Sequence, residues 1–510
     1  MKRTIRFLSI AVAGLLLVAC GGSNTSTTTT TAKVDTNATL RFGETSAAPD
    51  TLDPHKNNQS YGGDWYGQAY ESLVFATRTR EIKPQLATKW TYSADGKSID
   101  FTLRDNVTFS DGAPFNAAAV KANIERAQTV PGSQSKTLLA PIESVVAVSD
   151  KLVRVNLKTA NAGVLTDLGG KYGYMISPAA MARSDINIKP VGTGPYVLES
   201  YTPGVSATYV RNPKYWGPAG LVAKITVTTF TDTTAGVNAL ISNQIDLLHL
   251  FDNQSATVVR NAKQQIFSYP GLGVEWIGVN FGTGQKFQDI RVRQALAYAS
   301  DRKALTDFAG TGSPAYQWVP TSSAAYDKAL GEVYPYDPKK AKDLLAQAGF
   351  ANGFNFTLIH TDRPYTNQSA QIMQAQWAKV GINATIKVTD GATIVNTCYV
   401  QHTCDAISGI YTQSPELTRD ISDIVSTNGR RNLGTTAMPG LAEPLAAALL
   451  PSADRTPALI KLQSEFTKSV AEVNLRYDES IYGARKNIIF VDVDNNATPL
   501  WATVKMGSST

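Results

Sequence analysis

The sequence predicts a large protein that combines α-helices and β-strands in layers. Of its 510 residues, 43% are hydrophobic and only 18% are charged, which is typical of a globular protein and not of a disordered chain. Runs rich in β-branched and aromatic residues alternate with helical stretches along the whole body, which indicates an α/β or α+β architecture. No internal repeat of roughly 20 to 50 residues is present, so a solenoid is not predicted. At about 150 residues per domain, the length indicates about three structural units.

The N-terminus, residues 1–19, is typical of a secretory signal peptide. Basic residues in the first six positions precede an apolar run at 7–19 that ends in small residues before Cys20. A helix of that length spans about 20 Å, which is too short for a hydrocarbon core of roughly 30 Å. Residues 17–21, Leu-Val-Ala-Cys-Gly, resemble the lipobox of bacterial lipoproteins, so we expect cleavage before Cys20 and acylation of its thiol. An ordinary secretory signal with a chance cysteine is the alternative.

Residues 20–37 are predicted to form a tether. They are mostly serine and threonine, with five consecutive threonines at 27–31 and almost nothing apolar. Such a segment cannot bury enough surface to order itself, so it would hold a folded body away from a membrane.

The charge balance argues against nucleic-acid binding. The chain carries 48 basic and 42 acidic residues, a formal net charge of +6, and part of that excess lies in the signal segment. The remaining charges are evenly mixed, without the basic cluster that binds phosphate backbones.

The cysteines predict one short disulfide. With Cys20 assigned to the lipid, only Cys398 and Cys404 remain, in a compartment that permits oxidation. His402 lies between them, so a metal-binding trio is conceivable, but the spacing matches no common zinc pattern. We therefore predict the disulfide and no metal site.

The elements of the body follow from local signals. Asp95-Gly96 and Asp111-Gly112 are turn dipeptides on either side of a strand-like run at 99–103, which predicts a β-meander. The helix near residue 340 has both ends marked, by Asp337-Pro338 before the apolar spacing and by Gly349 after it. The same patterns predict strands over 145–157, 207–211 and 225–230, and helices over 117–127, 235–242, 289–302, 337–349 and 368–380.

The usual enzyme signatures are absent from the sequence. There is no G-x-S-x-G and no H-E-x-x-H, and the Gly96-Lys97-Ser98 that imitates the end of a P-loop has Thr91 where the first glycine belongs. The chain has only four histidines, widely separated. We therefore predict that the protein is not an enzyme and has no cofactor. The alternative hypothesis, a secreted hydrolase, is supported only by the chain length and the predicted location.

A series of segments resembles the family 5 extracellular solute-binding proteins of ABC importers, the group that includes oligopeptide-, dipeptide- and nickel-binding proteins. Each segment is short, and their shared order along the chain carries the resemblance. The matching segments are 51–55, 70–73, 84–90, 93–97, 101–104, 107–115, 192–196, 211–216, 280–281, 289–295 and 301–302.

The resemblance implies an α/β, two-lobed periplasmic-binding-protein fold of type II, cluster C, with an extra domain and an interlobe hinge. Lobe I would comprise 38–60, 192–283 and 487–510, the extra domain 61–191 and the other lobe 284–486. The lobes would be joined by crossings near 281–284 and 481–487. The resemblance also implies a monomeric receptor that delivers a solute to an ABC permease and its ATPase. This receptor would be extracytoplasmic, in the periplasmic space or cell envelope, and anchored to the cell membrane by a lipid.

One departure from the family pattern bears on the ligand. In peptide binders of the family a Gly-Trp-x-x-Asp segment lines the pocket, and its Asp pairs with the α-ammonium of the peptide. Counting from Gly409, Ile410 replaces the Trp and Gln413 replaces the Asp. A buried ammonium needs a carboxylate, since a neutral amide compensates its desolvation poorly. Glu416 and Asp405 are the nearby acids that could substitute.

The predicted ligand contacts are Trp276, Tyr411 and Gln413, with His249 and Arg419 as further candidates. Core packing is an equal alternative for Trp276, and a solvated surface charge is the alternative for Arg419. The predicted solute is a peptide or peptide-like molecule. A receptor for a metal chelate or oligosaccharide, and an extracytoplasmic sensor without a transport role, are the alternatives.

Overall fold

A computed structural model describes residues 33–59, 61–361, 364–414, 416–452, 454–494 and 498–508. The predicted signal peptide, Cys20 and most of the predicted tether lie outside these ranges. Within them, every helix is too short or too polar to cross a lipid bilayer.

The described body alternates strands and helices along its length. The strands are β1 Thr39–Glu44, β2 Val74–Ala76, β3 Ile82–Pro84, β4 Ala87–Tyr92, β5 Ser98–Leu103, β6 Ile142–Ser149, β7 Leu152–Leu157, β8 Tyr196–Thr202, β9 Ser206–Arg211, β10 Lys224–Thr229, β11 Leu247–Leu250, β12 Gln265–Val279, β13 Ser313–Pro314, β14 Phe354–Thr361, β15 Ile382–Thr389, β16 Ala406–Thr412, β17 Glu472–Ala484, β18 Ile488–Phe490 and β19 Lys505–Met506. The helices are α1 Gly63–Tyr66, α2 Ala117–Thr129, α3 Gly163–Asp167, α4 Thr233–Ile241, α5 Asn253–Asn261, α6 Ile290–Tyr298, α7 Arg302–Ala309, α8 Pro338–Gln347, α9 Pro364–Ala378, α10 Gly391–Ile394, α11 Leu417–Val425, α12 Ala442–Leu449 and α13 Thr456–Ser469.

A large mixed sheet organises the body. Its strand order is β15-β14-β16-β12-β17-β11-β1-β10-β9-β8, with β13 paired to β17 outside this path. The long antiparallel strands β12 and β17 lie at its centre and belong to both halves. β11 pairs with β17 on one side, and β16 pairs with β12 on the other.

The strand pairing shows where β12 and β17 cross from the half of the sheet that contains β11 to the half that contains β16. Residues 265–270 of β12 pair with the end of β17 that also pairs with β11, whereas residues 273–279 pair with β16. The register of β12 against β17 shifts between Pro270 and Val274. The change of partner strand therefore falls at 270–274 of β12, opposite Tyr477 and Glu479 of β17. The lobe crossings near 281–284 and 481–487 stay predictions.

Residues 87–157 form a separate four-stranded antiparallel sheet of order β4-β5-β7-β6, with α2 packed against it. The predicted turn at Asp95-Gly96 is present, since Asp95 Oδ1 accepts from Ser93 Oγ at 2.6 Å and Gly96 has a φ of +69°. The single strand predicted over 145–157 is instead the hairpin of β6 and β7.

Two helical predictions illustrate how local signals acted. For α8, Asp337 Oδ1 accepts from Lys340 N at 2.9 Å, and Pro338 occupies the first turn, as predicted. The helix predicted over 289–302 ends earlier, at Tyr298, and Asp301 caps the following helix α7 by accepting from Ala304 N at 2.9 Å.

A buried carboxylate, Glu71, ties three loop segments together. Thr193 Oγ1 donates to its Oε2 at 2.9 Å, as does Trp216 Nε1 at 2.8 Å, and Tyr215 OH donates to its Oε1 at 2.8 Å. Burial raises the pKa of Glu71 to about 7, although the donors from Trp216, Tyr215 and Thr193 oppose that rise. The two aromatics of the 211–216 segment, Tyr215 and Trp216, thus help to pack the body.

Candidate functional site

A cavity of about 870 Å³ opens along the centre of the large sheet. This volume lies within the range of about 300 to 1,000 Å³ that small-molecule sites occupy. The two crossing strands contribute Gly271, Gly273 and 478–480 to its lining. The remaining walls come from both sides of the crossing and from the segment that contains the four-stranded sheet, including 58–59, 133–134, 166–167, 170–172, 249–251, 410–414, 419–420 and Arg430.

Two acidic residues of β17, Asp478 and Glu479, line the cavity. The strand is buried on either side of 478–480, and its side chains become partly exposed at these positions. Asp478 accepts one hydrogen bond from Arg476 Nη1 at 3.3 Å, and its side chain remains 35% exposed. Glu479 Oε2 accepts from Ser268 Oγ at 2.8 Å and from Thr311 Oγ1 at 3.1 Å. These acids can accept hydrogen bonds from a cationic group of a solute.

Two cationic side chains line other parts of the same cavity. Lys171 donates from Nζ to the Gln59 carbonyl at 2.7 Å, and burial lowers its pKa to about 8. Arg430 pairs with Asp423, yet its side chain stays 57% exposed. An ammonium has three donors and a guanidinium has five, so both cations retain donors beyond these contacts. The cavity therefore presents charges of both signs.

His249 lies in β11 at the cavity wall and faces two buried carboxylates. Its Nδ1 is 3.4 Å from Glu44 Oε2 and 3.5 Å from Asp64 Oδ2. Burial alone would lower the pKa of His249, but Asp64 and Glu44 outweigh it and raise this pKa to about 9. Tyr482 stacks on the imidazole at 4.7 Å between ring centroids, and Phe251 packs against it at 4.4 Å.

Tyr411 forms part of the opposite wall, and a buried ion pair lies behind it. Its OH donates to Asp420 Oδ1 at 2.5 Å, and the guanidinium carbon of Arg431 lies 3.5 Å from its ring centroid. Arg431 Nη2 also pairs with Glu472 Oε1 at 3.2 Å. Burial raises the pKa of Glu472 to about 7 against the opposing effect of Arg431. The orientation of Tyr411 is therefore fixed on both its ring and its hydroxyl.

The structure places two of the predicted ligand contacts, Trp276 and Arg419, against other side chains of the protein. Trp276 is 5% exposed and lies in the core outside the cavity lining, where Arg431 sits 4.8 Å from its ring centroid. Arg419 does line the cavity, but it is a largely buried partner of Asp167 and not a solvated surface charge.

Cys398 and Cys404 are joined by a disulfide next to β16, and both are buried. Their neighbour His402 adopts a positive φ of 54° within this short loop. The disulfide lies in the same hydrophobic cluster as Trp276 and Ile407, behind the wall that carries Tyr411.

Comparison with known proteins identifies the architecture. Residues 81–428 match the family described as bacterial extracellular solute-binding proteins, family 5. The chain belongs to this family. Glutathione-binding protein GsiB of Salmonella typhi is 34% identical over 350 residues, covering 67% of this chain and 67% of that protein. The GsiB of Escherichia coli K12 is 33% identical over the same shares.

Solved structures show the same fold. HbpA2 of Haemophilus parasuis superposes with a TM-score of 0.82 at 23% identity, over 92% of this chain and 100% of that one. NikA of Brucella suis, in complex with Fe(III)-EDTA, superposes with a TM-score of 0.80 at 23% identity, over 92% and 100%. The predicted fold class and family are confirmed: this is a family 5 solute-binding protein of the kind that serves ABC importers.

In this family 5 protein, Gln413 lines the cavity, and both the oxygen and the nitrogen of its side-chain amide make hydrogen bonds within the protein. Its Oε1 accepts from Arg80 Nη2 at 2.6 Å, and its Nε2 donates to the Trp318 carbonyl. The side chain is 2% exposed. The residue at the position of the family's Asp therefore holds the wall together and offers little to an ammonium.

The two acids expected as substitutes lie elsewhere. Glu416 pairs with Arg455 at 3.1 Å, and Asp405 pairs with Lys286 at 3.0 Å. Neither lines the cavity. In the described structure, therefore, neither acid faces a solute in this cavity. Asp478 and Glu479 line the cavity and can accept further hydrogen bonds. The sequence signal for them was the run of three polar residues at 478–480, which interrupts the alternation of polar and apolar residues that begins at Glu472.

Proposed function

We propose that this family 5 protein captures a zwitterionic, peptide-like solute in the central cavity and delivers it to an ABC permease and its ATPase. The observation that carries the proposal is the cavity itself, whose lining bears carboxylates and cations at separate positions. The lobes assigned from the sequence would close on the solute about the two crossing strands, and the receptor would act as a monomer.

Each end of the solute has a proposed partner. Asp478 and Glu479 would accept from its ammonium, and Lys171 and Arg430 would donate to its carboxylate. Hydrogen bonds to charged groups contribute about 1.5 to 3 kcal/mol each, so each pole should matter for affinity. Tyr411 supplies an aromatic surface in the same cavity, held rigid by Asp420 and Arg431.

The test is calorimetric titration of the purified full chain with glutathione, trialanine, N-acetyl-trialanine and trialanine amide. We expect binding of a free zwitterion, loss on N-acetylation, and a gain of about 2.7 kcal/mol in stability at about 100 times the dissociation constant. D478N should weaken binding roughly 10- to 150-fold. D105N is the matched control, because Asp105 is 80% exposed and outside the cavity lining.

A receptor for a solute without an ammonium is the second candidate. It is favoured by Ile410 and Gln413 at the positions of the family's Trp and Asp. If N-acetyl-trialanine or a nickel chelate binds and the free peptides do not, or if D478N leaves the binding of free peptides unchanged, the zwitterion proposal is wrong.

We also propose that Cys20 carries a lipid that keeps the receptor at the membrane. The support is the sequence at 17–21 and the Ser/Thr-rich segment that follows it. One acyl chain binds a membrane only marginally, so stable anchoring requires the multiple acylation of bacterial lipoproteins. Mass spectrometry of the mature N-terminus should find an acylated Cys20, and C20A should release the protein from membranes; an unmodified thiol would contradict the proposal.

A further inference from the structure

Glu44, Asp64 and His249 form a buried cluster whose polar atoms lack ordinary partners. Glu44 Oε2, both Asp64 carboxylate oxygens and His249 Nδ1 have no hydrogen-bond partner, and all three side chains are at most 2% exposed. Among the described residues, the ion pairs of these carboxylates involve only His249, so no lysine or arginine neutralises them. A protonated His249 balances only one ionised carboxylate, so ionisation of both requires a further positive charge, since burial of unpaired charge is costly.

The sequence brings the three residues together through strand pairing. β1 and β11 are parallel, with Phe42 opposite Leu247 and Gly43 opposite Leu248, so Glu44 and His249 follow in the same register. Asp64 comes from α1, which is buried along its whole length. Ser46 N donates to Glu44 Oε1 at 2.8 Å, which fixes the carboxylate with Oε2 directed to the cluster.

The separations between these atoms suit a metal ion better than a hydrogen bond. His249 Nδ1 lies 3.4 and 3.5 Å from the two carboxylate oxygens, longer than the 2.7 to 3.2 Å of an N–H···O bond. A tetrahedral Zn²⁺ with bonds of about 2.1 Å separates its ligand atoms by about 3.4 Å. The three candidate ligand atoms all lie within 4.8 Å of one another.

We propose that Glu44, Asp64 and His249 bind one divalent transition-metal ion of the Zn²⁺ class at the wall of the cavity. Two carboxylates and a neutral imidazole balance the charge of a divalent cation, and the imidazole selects transition metals over Ca²⁺ and Mg²⁺. Three protein ligands leave one coordination position open, as in exchangeable zinc sites. His249 lines the cavity, so an ion can enter from that side. The rings of Tyr61, Phe251 and Tyr482 enclose the imidazole and fix its plane.

The test is calorimetric titration of the chelator-treated full chain with ZnCl₂, in the absence of any peptide. We expect about one equivalent of Zn²⁺ to bind and the melting temperature to rise with zinc concentration. E44Q and D64N keep the shape of the side chains and remove one ligand charge each, so each should weaken binding at least about 100-fold. H402Q is the matched control, because His402 lies beside the disulfide and away from the cluster, and it should bind as the wild type does.

A spectroscopic readout distinguishes this site from adventitious binding. Co²⁺ in place of Zn²⁺ should give the intense visible absorption of tetrahedral coordination, and D64N should abolish it. Circular dichroism of the metal-free variants checks that they fold. The proposal is overturned if the wild type binds no Zn²⁺, or if E44Q and D64N both bind Zn²⁺ as tightly as H402Q does. It is also overturned if the wild type binds no metal and both variants are more stable than it, because the three side chains would then share protons instead of a metal ion. None of these outcomes depends on peptide binding, so the zwitterion proposal can fail while this one stands.

Discussion

Replacing Glu71 by glutamine should remove a pH dependence of stability. The carboxylate is 3% exposed and its pKa is raised from 4.5 to about 7, chiefly by burial. Between these two values the native state holds a proton that the unfolded chain has released. Stability therefore falls as pH rises through this window, and the contribution of Glu71 is fully present only below the lower value.

The magnitude follows from the shift. A difference of about 2.5 pKa units corresponds to roughly 3 kcal/mol, at 1.36 kcal/mol per unit. The apparent free energy of unfolding of the wild type should thus drop by roughly 3 kcal/mol more than that of E71Q between about pH 4.5 and pH 7. Glutamine keeps an acceptor for Trp216 and Thr193, and the hydroxyl of Tyr215 can rotate to accept from the new amide.

The assay is urea unfolding followed by tryptophan fluorescence at several pH values across this window. Other buried acids, including Glu472, add to the slope of both proteins, so the informative quantity is the difference between E71Q and the wild type. E125Q is the control, because Glu125 is 49% exposed on α2. Equal pH slopes for the wild type and E71Q would refute the assignment of a buried, protonatable Glu71.

Three further predictions concern the other half of the sheet. R431M leaves Glu472 buried without its partner, so we expect a loss of roughly 3 to 5 kcal/mol in urea unfolding, partly recovered when E472Q is added. Reduction of Cys398–Cys404, or C398S with C404S, should lower stability by less than about 3 kcal/mol, because the closed loop is short; melting with and without dithiothreitol measures this. W377A should cost about 3 to 5 kcal/mol by the same unfolding assay, since Trp377 is fully buried and donates to Ser300 Oγ at 3.0 Å.

The elements that the sequence predicted well are those with local signals. The capping of α8 by Asp337 and the turn at Gly96 need only a few neighbouring residues. The break between α6 and α7 was missed because both sides of it have helical spacing, and only the cap by Asp301 separates them. A hairpin such as β6–β7 was missed for a similar reason, since its turn lacks glycine and proline.

The site was harder to predict because its residues meet through long-range pairing. Glu44, Asp64 and His249 carry no motif in the sequence, and their proximity depends on the parallel pairing of β1 with β11. Gln413 lines the cavity, but its hydrogen bond with Arg80 could not be predicted, because the two residues are 333 positions apart in the sequence. Burial of Trp276 behind Arg431 depends likewise on the packing of distant segments.

The central place of β17 constrains how the chain can be made. This strand begins at Glu472, yet it lies between β11 and β12, which are complete some two hundred residues earlier in the chain. Until it emerges, both neighbours present open edges, and no strand-to-strand hydrogen bonds join β11 to β12 within the large sheet. Long-range pairing of this kind is slow to form. A nascent chain would thus stay incompletely folded until almost its last residues are synthesised, and a truncation before Glu472 would leave an aggregation-prone fragment instead of a smaller working receptor.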